Sequence, residues 1–211
     1  MLFFLIFATV IKPIYSTSQK NEMKKIPTLV IEHCESNLSE WLLLEYQHAV
    51  KLWKKKIVFT NVRDTKTAHK LTQLGSVKKE NAKTVFSKKT CIVLDPQATK
   101  PLTTRDCVSS DALIVGGILG FEKPQGRTKK LISDGSGFLT RHLGKIQLTI
   151  DGSVFVIKAI ALGMKLEDIE IAHEVEIVHD SVHSTILPFG YPILENKPVI
   201  TPGLVDYLIK I

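Results

Sequence analysis

Ala112-Leu113-Ile114-Val115-Gly116-Gly117-Ile118-Leu119-Gly120 is the stretch on which the reading of this chain turns. An unbroken apolar run of strand length, stopped by paired glycines, reads as a β-strand buried on both faces. Three upstream runs share the pattern: Leu29-Val30-Ile31 before Glu32-His33, Ile57-Val58-Phe59, and Cys91-Ile92-Val93-Leu94 before Asp95-Pro96. Between the first two, Ser36 or Asn37 is placed to cap a helix from about Leu38 to Trp53. Its buried face would hold Leu38, Leu42, Leu43, Ala49, Val50 and Trp53, with Glu40, Gln47 and Lys51 pointing away. Thr67 to Leu74 reads as a short helix stopped by Gly75. Further on, Asp151 is placed to cap a helix through Ala161, ended by Gly163. Residues 167–180 nearly alternate acidic with β-branched side chains, as a half-exposed strand does, and Pro202-Gly203 opens a closing helix. Helices alternating with wholly apolar strands predict an α/β fold, a parallel sheet covered by helices on both faces.

The composition agrees. Of 211 residues, 44% are hydrophobic and 23% charged, which excludes disorder, collagen and a disulfide scaffold as descriptions of the whole chain. Cys34, Cys91 and Cys107 are odd in number, far apart and without a CxxC pair, so reduced thiols and a cytoplasmic location are expected, with no zinc ribbon. The charge is uneven: residues 23–90 carry 14 Lys and Arg against 6 Asp and Glu, whereas residues 91–211 carry 12 against 14. Lys54, Lys55, Lys56, Lys78, Lys79, Lys88 and Lys89 make a candidate RNA contact, or simply a solubilising face. Residues 1–22 read as an N-terminal extension whose apolar run, Met1 to Ile11, is too short to span a bilayer. Either Met23 is the true start or the extension is a leader; no membrane association is expected, and residues 23–211 read as one domain.

In open α/β sheets, ligands lie beyond the carboxyl ends of the strands. Glu32, Asp95-Pro96 and the run Gly116 to Gly120 occupy such ends, and glycines there let backbone amides come close to a ligand. The pattern is neither GxGxxG nor a P-loop. His173, His179 and His183 form no HExxH, and there is no GxSxG elbow, so neither a metal site nor a hydrolase is supported. What remains is a glycine-lined pocket suited to transfer from a pre-activated small molecule, where the protein mainly positions two reactants.

Six blocks add a resemblance: IEHCESNLSEWLLLEY (31–46), CIVLDPQA (91–98), VGGILGFEKPQGRTKKL (115–131), TRHLGKIQLTIDGSV (140–154), LPFGYPI (187–193) and KPVITPGLVDYL (197–208). In this order they resemble the SPOUT-type methyltransferases of eukaryotes and archaea, the branch that includes a protein arginine N-methyltransferase of the small ribosomal subunit. The resemblance implies a C-terminal trefoil knot, a rare exception to unknotted folding. It also implies S-adenosylmethionine held by three loops: Leu94-Asp95-Pro96; Gly116, Gly117, Ile118, Leu119 and Gly120; and Leu143-Gly144 with Gln147-Leu148-Thr149. On this reading Gly117→Val would block backbone approach to the donor and leave folding cooperative.

The acceptor implied is a guanidinium, which stays protonated above pH 12 and needs a carboxylate to hold its planar fork and help remove a proton. The candidates are Glu32, Glu40 and Asp151; Glu40 also reads as a solvated helix residue and Asp151 as a helix cap. Arg127 and Arg141 read as donor-loop residues or as salt-bridge partners. The expected substrate is a ribosomal protein or particle, drawn to Glu167, Asp168, Glu170, Glu174, Glu176 and Asp180. The alternatives are an RNA methyltransferase and a non-catalytic ribosome-associated binding module, working as a monomer or homodimer.

Overall fold

Apolar residues at alternate positions of each strand settle on opposite faces of one sheet. The computed structural model describes residues 26–210 except 55, 56, 88, 89 and 122. The extension 1–22 and Lys55, Lys56, Lys88 and Lys89 therefore lie outside the described residues. Strands β1 (Thr28–His33), β2 (Ile57–Thr60), β3 (Ser76–Val77), β4 (Cys91–Leu94), β5 (Ala112–Gly117) and β6 (Leu139–Arg141) pair in the order β3-β2-β1-β5-β4-β6. Every pairing in this sheet is parallel, with Glu32 beside Thr60 on one side and Gly116 on the other. The parallel sheet covered on both faces is what the four apolar runs predict; β3 and β6, which carry no such run, extend it at the two edges.

Helices α1 (Glu40–Trp53) and α5 (Ile150–Ala161) cover one face, packed on Leu29, Ile31, Phe59, Ile92, Leu113 and Val115. The other face, with Val30, Val93 and Ile114, is covered by Ala82, Ile132 and Phe138. Three short helices, α2 (Thr65–Leu71), α3 (Ala82–Val85) and α4 (Thr104–Ser109), connect the strands. Beyond α5 come β7 (Ile171–Ala172), the hairpin β8 (Val175–Val178) and β9 (Ser184–Leu187), then β10 (Tyr191–Leu194), β11 (Lys197–Pro198) and α6 (Leu204–Lys210). The segment 167–180 is thus not one strand but a 3-10 turn followed by two short strands.

Local hydrogen bonds place the helix starts later or earlier than the sequence suggests. Ser39, not Ser36 or Asn37, caps α1 by accepting from Leu42 N at 3.2 Å. Thr149, not Asp151, caps α5 by accepting from Gly152 N at 3.1 Å. The buried side of α1 also differs: it holds Leu42, Glu45, Tyr46, His48, Ala49, Leu52 and Trp53. The apolar pattern hides this because Glu45 and His48 find partners on α5.

Tyr46 is fully buried and shares a 3.0 Å hydrogen bond with His33 Nδ1. Its hydroxyl lies against Gly117, where an added Cβ would stand 2.1 Å from Tyr46 Oη and 3.0 Å from the Glu32 carbonyl oxygen. Glycine at 117 is therefore required by close packing of α1 on the sheet. This changes what substitution there should do. Gly117→Val is predicted to destabilise the fold by about 1–3 kcal/mol through overpacking, lowering the thermal midpoint by several degrees. Thermal denaturation checks this; an unchanged midpoint would return Gly117 to a purely ligand-facing role.

Candidate active site

Three loops meet where β4, β5 and β6 end. The first leaves β4 at Leu94, and Asp95 fixes its turn. The Asp95 carboxylate is buried and accepts from Gln97 N at 2.9 Å and Ser133 Oγ at 2.6 Å, while Asp95 N donates to Arg141 O at 2.8 Å. The second loop leaves β5 at Gly117 and runs through Ile118, Leu119 and Gly120 to Phe121. The third, Leu143 to Leu148, turns at Gly144, whose φ of +105° few other residues adopt. Gln147 Nε2 donates to Phe121 O at 2.9 Å and ties the third loop to the second. Gln147 O accepts from Gly190 N at 2.8 Å, which anchors the third loop to the C-terminal strands.

Between the loops lies a cavity of about 280 Å³. Leu94, Asp95, Pro96, Gly116, Ile118, Leu119, Gly120, Leu143, Gly144, Gln147 and Leu148 all line it. Two residues of the expected donor set do not. Gly117 faces Tyr46, and Thr149 lies just beyond the rim as the cap of α5. Gln97, Phe121, Arg127, Ile146 and Ser153 also line the cavity, although the motifs assign them no donor contact or only an ordering role. Gln97 and Phe121 follow directly on the motif residues and Ile146 lies among them, so loop continuity could have found these three; Arg127 and Ser153 are brought in by the fold.

The three carboxylates singled out in the sequence lie elsewhere. Glu32 is buried, accepts from the Thr60 hydroxyl and from Ala82 N at 2.8 Å, and so joins β1 to β2 and α3. Burial pushes its pKa up, against the pull of those hydrogen bonds. Glu40 is exposed in the first turn of α1. Asp151 is buried, accepting at 2.6 Å from both His48 Nδ1 and Thr201 Oγ1. None of the three lines the cavity. Arg141 is likewise engaged by Asp106, with Nε and Nη2 each 3.0 Å from its oxygens. Next to β1, burial, aided by Glu32, pushes the Cys34 thiol up to about 12.

Arg127 is different. Its guanidinium lines the cavity, stands 5.6 Å from the Phe121 ring centroid, and donates through Nη1 to Glu35 Oε1 at 2.9 Å and Leu119 O at 3.3 Å. Glu35 Oε1 also accepts from Leu119 N at 2.9 Å. A carboxylate that the sequence motifs do not select therefore fixes the second loop and an arginine on the cavity wall.

Residues 28–211 match the family described as protein arginine N-methyltransferase SFM1-like. The chain belongs to that family. Protein arginine N-methyltransferase SFM1 of Saccharomyces cerevisiae is 27% identical over 200 residues, covering 86% of this chain and 93% of the yeast one. The crystal structure of yeast arginine methyltransferase SFM1 complexed with SAM has a TM-score of 0.79 at 27% identity, spanning 88% of this chain and 91% of that one. The yeast complex with SAH gives 0.78 at 27% identity, over 86% and 94%. The dual specific Trm10 of Thermococcus kodakaraensis, at 13% identity and a TM-score of 0.54, covers 67% of this chain and 96% of its own and shares the fold. The fold is that of the SPOUT methyltransferases, as the sequence blocks imply.

Beneath the cavity in this SFM1-like chain, Glu45 holds the start of α5. One carboxylate oxygen accepts from Ile150 N at 2.9 Å and the other from Trp41 Nε1 at 2.7 Å. Burial, and then the Asp151 charge, push its pKa up to about 8. An acid with a higher pKa folded than unfolded binds more protons when folded, so stability falls as pH rises from about 4.5 through that raised value. Glu45→Gln should flatten this part of the profile, visible as a smaller loss of the urea midpoint between pH 5 and pH 8 than in wild type. Parallel profiles would mean that Glu45 does not titrate in that window.

Proposed function

We infer that this chain transfers the methyl group of S-adenosylmethionine to an arginine side chain of a ribosomal protein. The observation that carries the reading is the convergence of three strand-end loops on one cavity, in a chain whose family is one of protein arginine N-methyltransferases. The lining suits the donor chemically. Leu94, Leu119, Leu143 and Leu148 offer apolar walls for a purine ring, backbone groups of the glycine-bearing loops offer hydrogen bonds, and Arg127 offers a cation for a carboxylate. The donor set is Leu94 to Pro96, Gly116 to Gly120 and Leu143 to Thr149, with Gly117 and Thr149 acting through the shape of their loops. The knotted path implied by the sequence resemblance belongs to this reading, with the third loop threaded beside the C-terminal strands.

A sulfonium donor supplies an activated methyl: its carbon–sulfur bond breaks with the electron pair left on sulfur, an acceptor nitrogen forms the new bond, and that nitrogen's proton departs to a base or water. The protein's share is positioning and shielding. The Gln147–Phe121 link closes the rim between two loops, and Asp95 holds the first loop rigid from below. Positioning of this kind can supply about 7–11 kcal/mol of a bimolecular barrier.

A basic protein substrate suits the exposed carboxylates Glu167, Asp168, Glu170, Glu174, Glu176 and Asp180, which run from the 3-10 turn after α5 to the turn after β8. Lys54, Lys78 and Lys79 are exposed in the N-terminal half of the chain and would meet rRNA in a ribosomal particle. On this reading residues 23–211 form one catalytic domain in the cytoplasm.

The test is transfer from methyl-labelled S-adenosylmethionine into ribosomes from cells lacking the protein. Label should be released by protease, not ribonuclease, and appear as methylarginine on hydrolysis. Label released only by ribonuclease would make the acceptor RNA.

A further inference from the structure

A methylated arginine must bring its cationic guanidinium next to a cationic sulfonium donor, an approach that Coulomb repulsion opposes unless an anion lies between or beside them. Glu32 and Asp151 are sealed in the core with their carboxylates engaged, and Glu40 stands on solvent at the far end of the β1–α1 loop. Asp95 lines the cavity, but it is buried and both of its oxygens already serve the loop. Glu35 meets the requirement that these do not.

We propose that Glu35 receives the guanidinium of the substrate arginine beside the cavity, against the Leu119 and Arg127 that line it; this rests on the arginine-methylation reading above. The carboxylate already binds one guanidinium, that of Arg127, so its surroundings suit such a group. Phe121 lies under the Arg127 guanidinium with its centroid 5.6 Å away, and the Leu119 carbonyl takes a further N–H at 3.3 Å. Only one oxygen is used. Oε1 accepts from both Leu119 N and Arg127 Nη1 at 2.9 Å, whereas Oε2 accepts no hydrogen bond among the described residues. Glu35 keeps 21% of its side-chain exposure and Arg127 25%, so a side chain arriving from solvent can reach the open oxygen. A carboxylate braced on one oxygen and open on the other is a pre-set acceptor: it loses little freedom on binding and supplies a charge-assisted bond.

The position fits the chemistry as well. Leu119 and Arg127, the two groups that brace Glu35, both line the donor cavity, so a guanidinium on Oε2 stands beside the second loop, where the methyl group must pass. Arg127 stays on Oε1, and the proton of the newly methylated nitrogen leaves to water at the open side of the site. Glu35 itself forms no covalent bond.

The test separates substrate binding from donor binding. Glu35→Gln keeps an oxygen for Leu119 N and Arg127 but removes the charge; Glu35→Asp restores the charge on a shorter arm. Methylarginine formation is followed at increasing concentrations of protein extract from cells lacking this chain, and S-adenosylmethionine affinity is measured by calorimetry on the same variants. Glu35→Gln should raise the apparent KM for extract at least tenfold while donor affinity changes less than twofold, and Glu35→Asp should recover part of the loss. An apparent KM within twofold of wild type would overturn the proposal. So would equal losses in KM and donor affinity, which would make Glu35 only a brace for Arg127. A wild-type protein that binds donor but labels RNA alone would overturn the arginine reading itself, and Glu35 as its acceptor with it.

Discussion

Glu45 holds together two things that the sheet alone would leave apart. Its carboxylate sits where water is excluded and takes the indole N–H of its own helix and the backbone N–H of Ile150, the first residue of α5. An unpaired helix-terminal N–H buried there would cost on the order of 1–3 kcal/mol, so α1 and α5 are fixed against each other by more than apolar contact. The neighbouring Asp151, bonded to His48 and Thr201, extends the tie toward α6. Because α5 begins where the third cavity loop ends, the position of Gln147 and Leu148 depends on this buried polar seam. Two carboxylates in one desolvated place repel each other, and burial and the Asp151 charge keep the Glu45 pKa high.

The sheet supplies the other half of the site. Strand order β3-β2-β1-β5-β4-β6 reverses direction between β1 and β5, and the loops that leave β4, β5 and β6 on the far side of that reversal form the cavity. This is the general location of ligands in open α/β folds. The loop that leaves β1 contributes without lining the cavity: Glu35 reaches across to Leu119 and Arg127 and sets the geometry of the second loop from the side. Loop identity thus gives the fold its chemistry, while a rigid parallel sheet holds the loops in register.

Much of the site is legible in the order of residues. The motif blocks pick out the loop stretches at Leu94, Gly116 and Leu143, and nearly all of their residues line one cavity. Gly117 shares a glycine pair with Gly116 and so looks ligand-facing in sequence, yet adjacent residues on a strand point to opposite sides. One glycine faces the cavity and the other faces Tyr46. For the carboxylates, the sequence reading takes Glu32 and Glu40 and passes over Glu35, although Glu35 stands only two residues past the end of β1. Of these three, only the Glu35 side chain bonds to cavity-lining groups.

Apolar runs of three or four residues, two of them stopped by Asp95-Pro96 and Gly116-Gly117, determine by sequence alone that this chain forms a parallel sheet, because strands buried on both faces read as such runs. The ordered blocks determine the family in the same way. Tertiary structure decided which polar residues act where. Glu45 and His48 lie on a buried helix face because Ile150 and Asp151, more than 100 positions away, come to meet them. Glu35 faces an arginine 92 positions distant for the same reason. A buried polar group is tolerated only with its partner present, and partners that far apart in the chain are set by the folded arrangement, not by any local pattern.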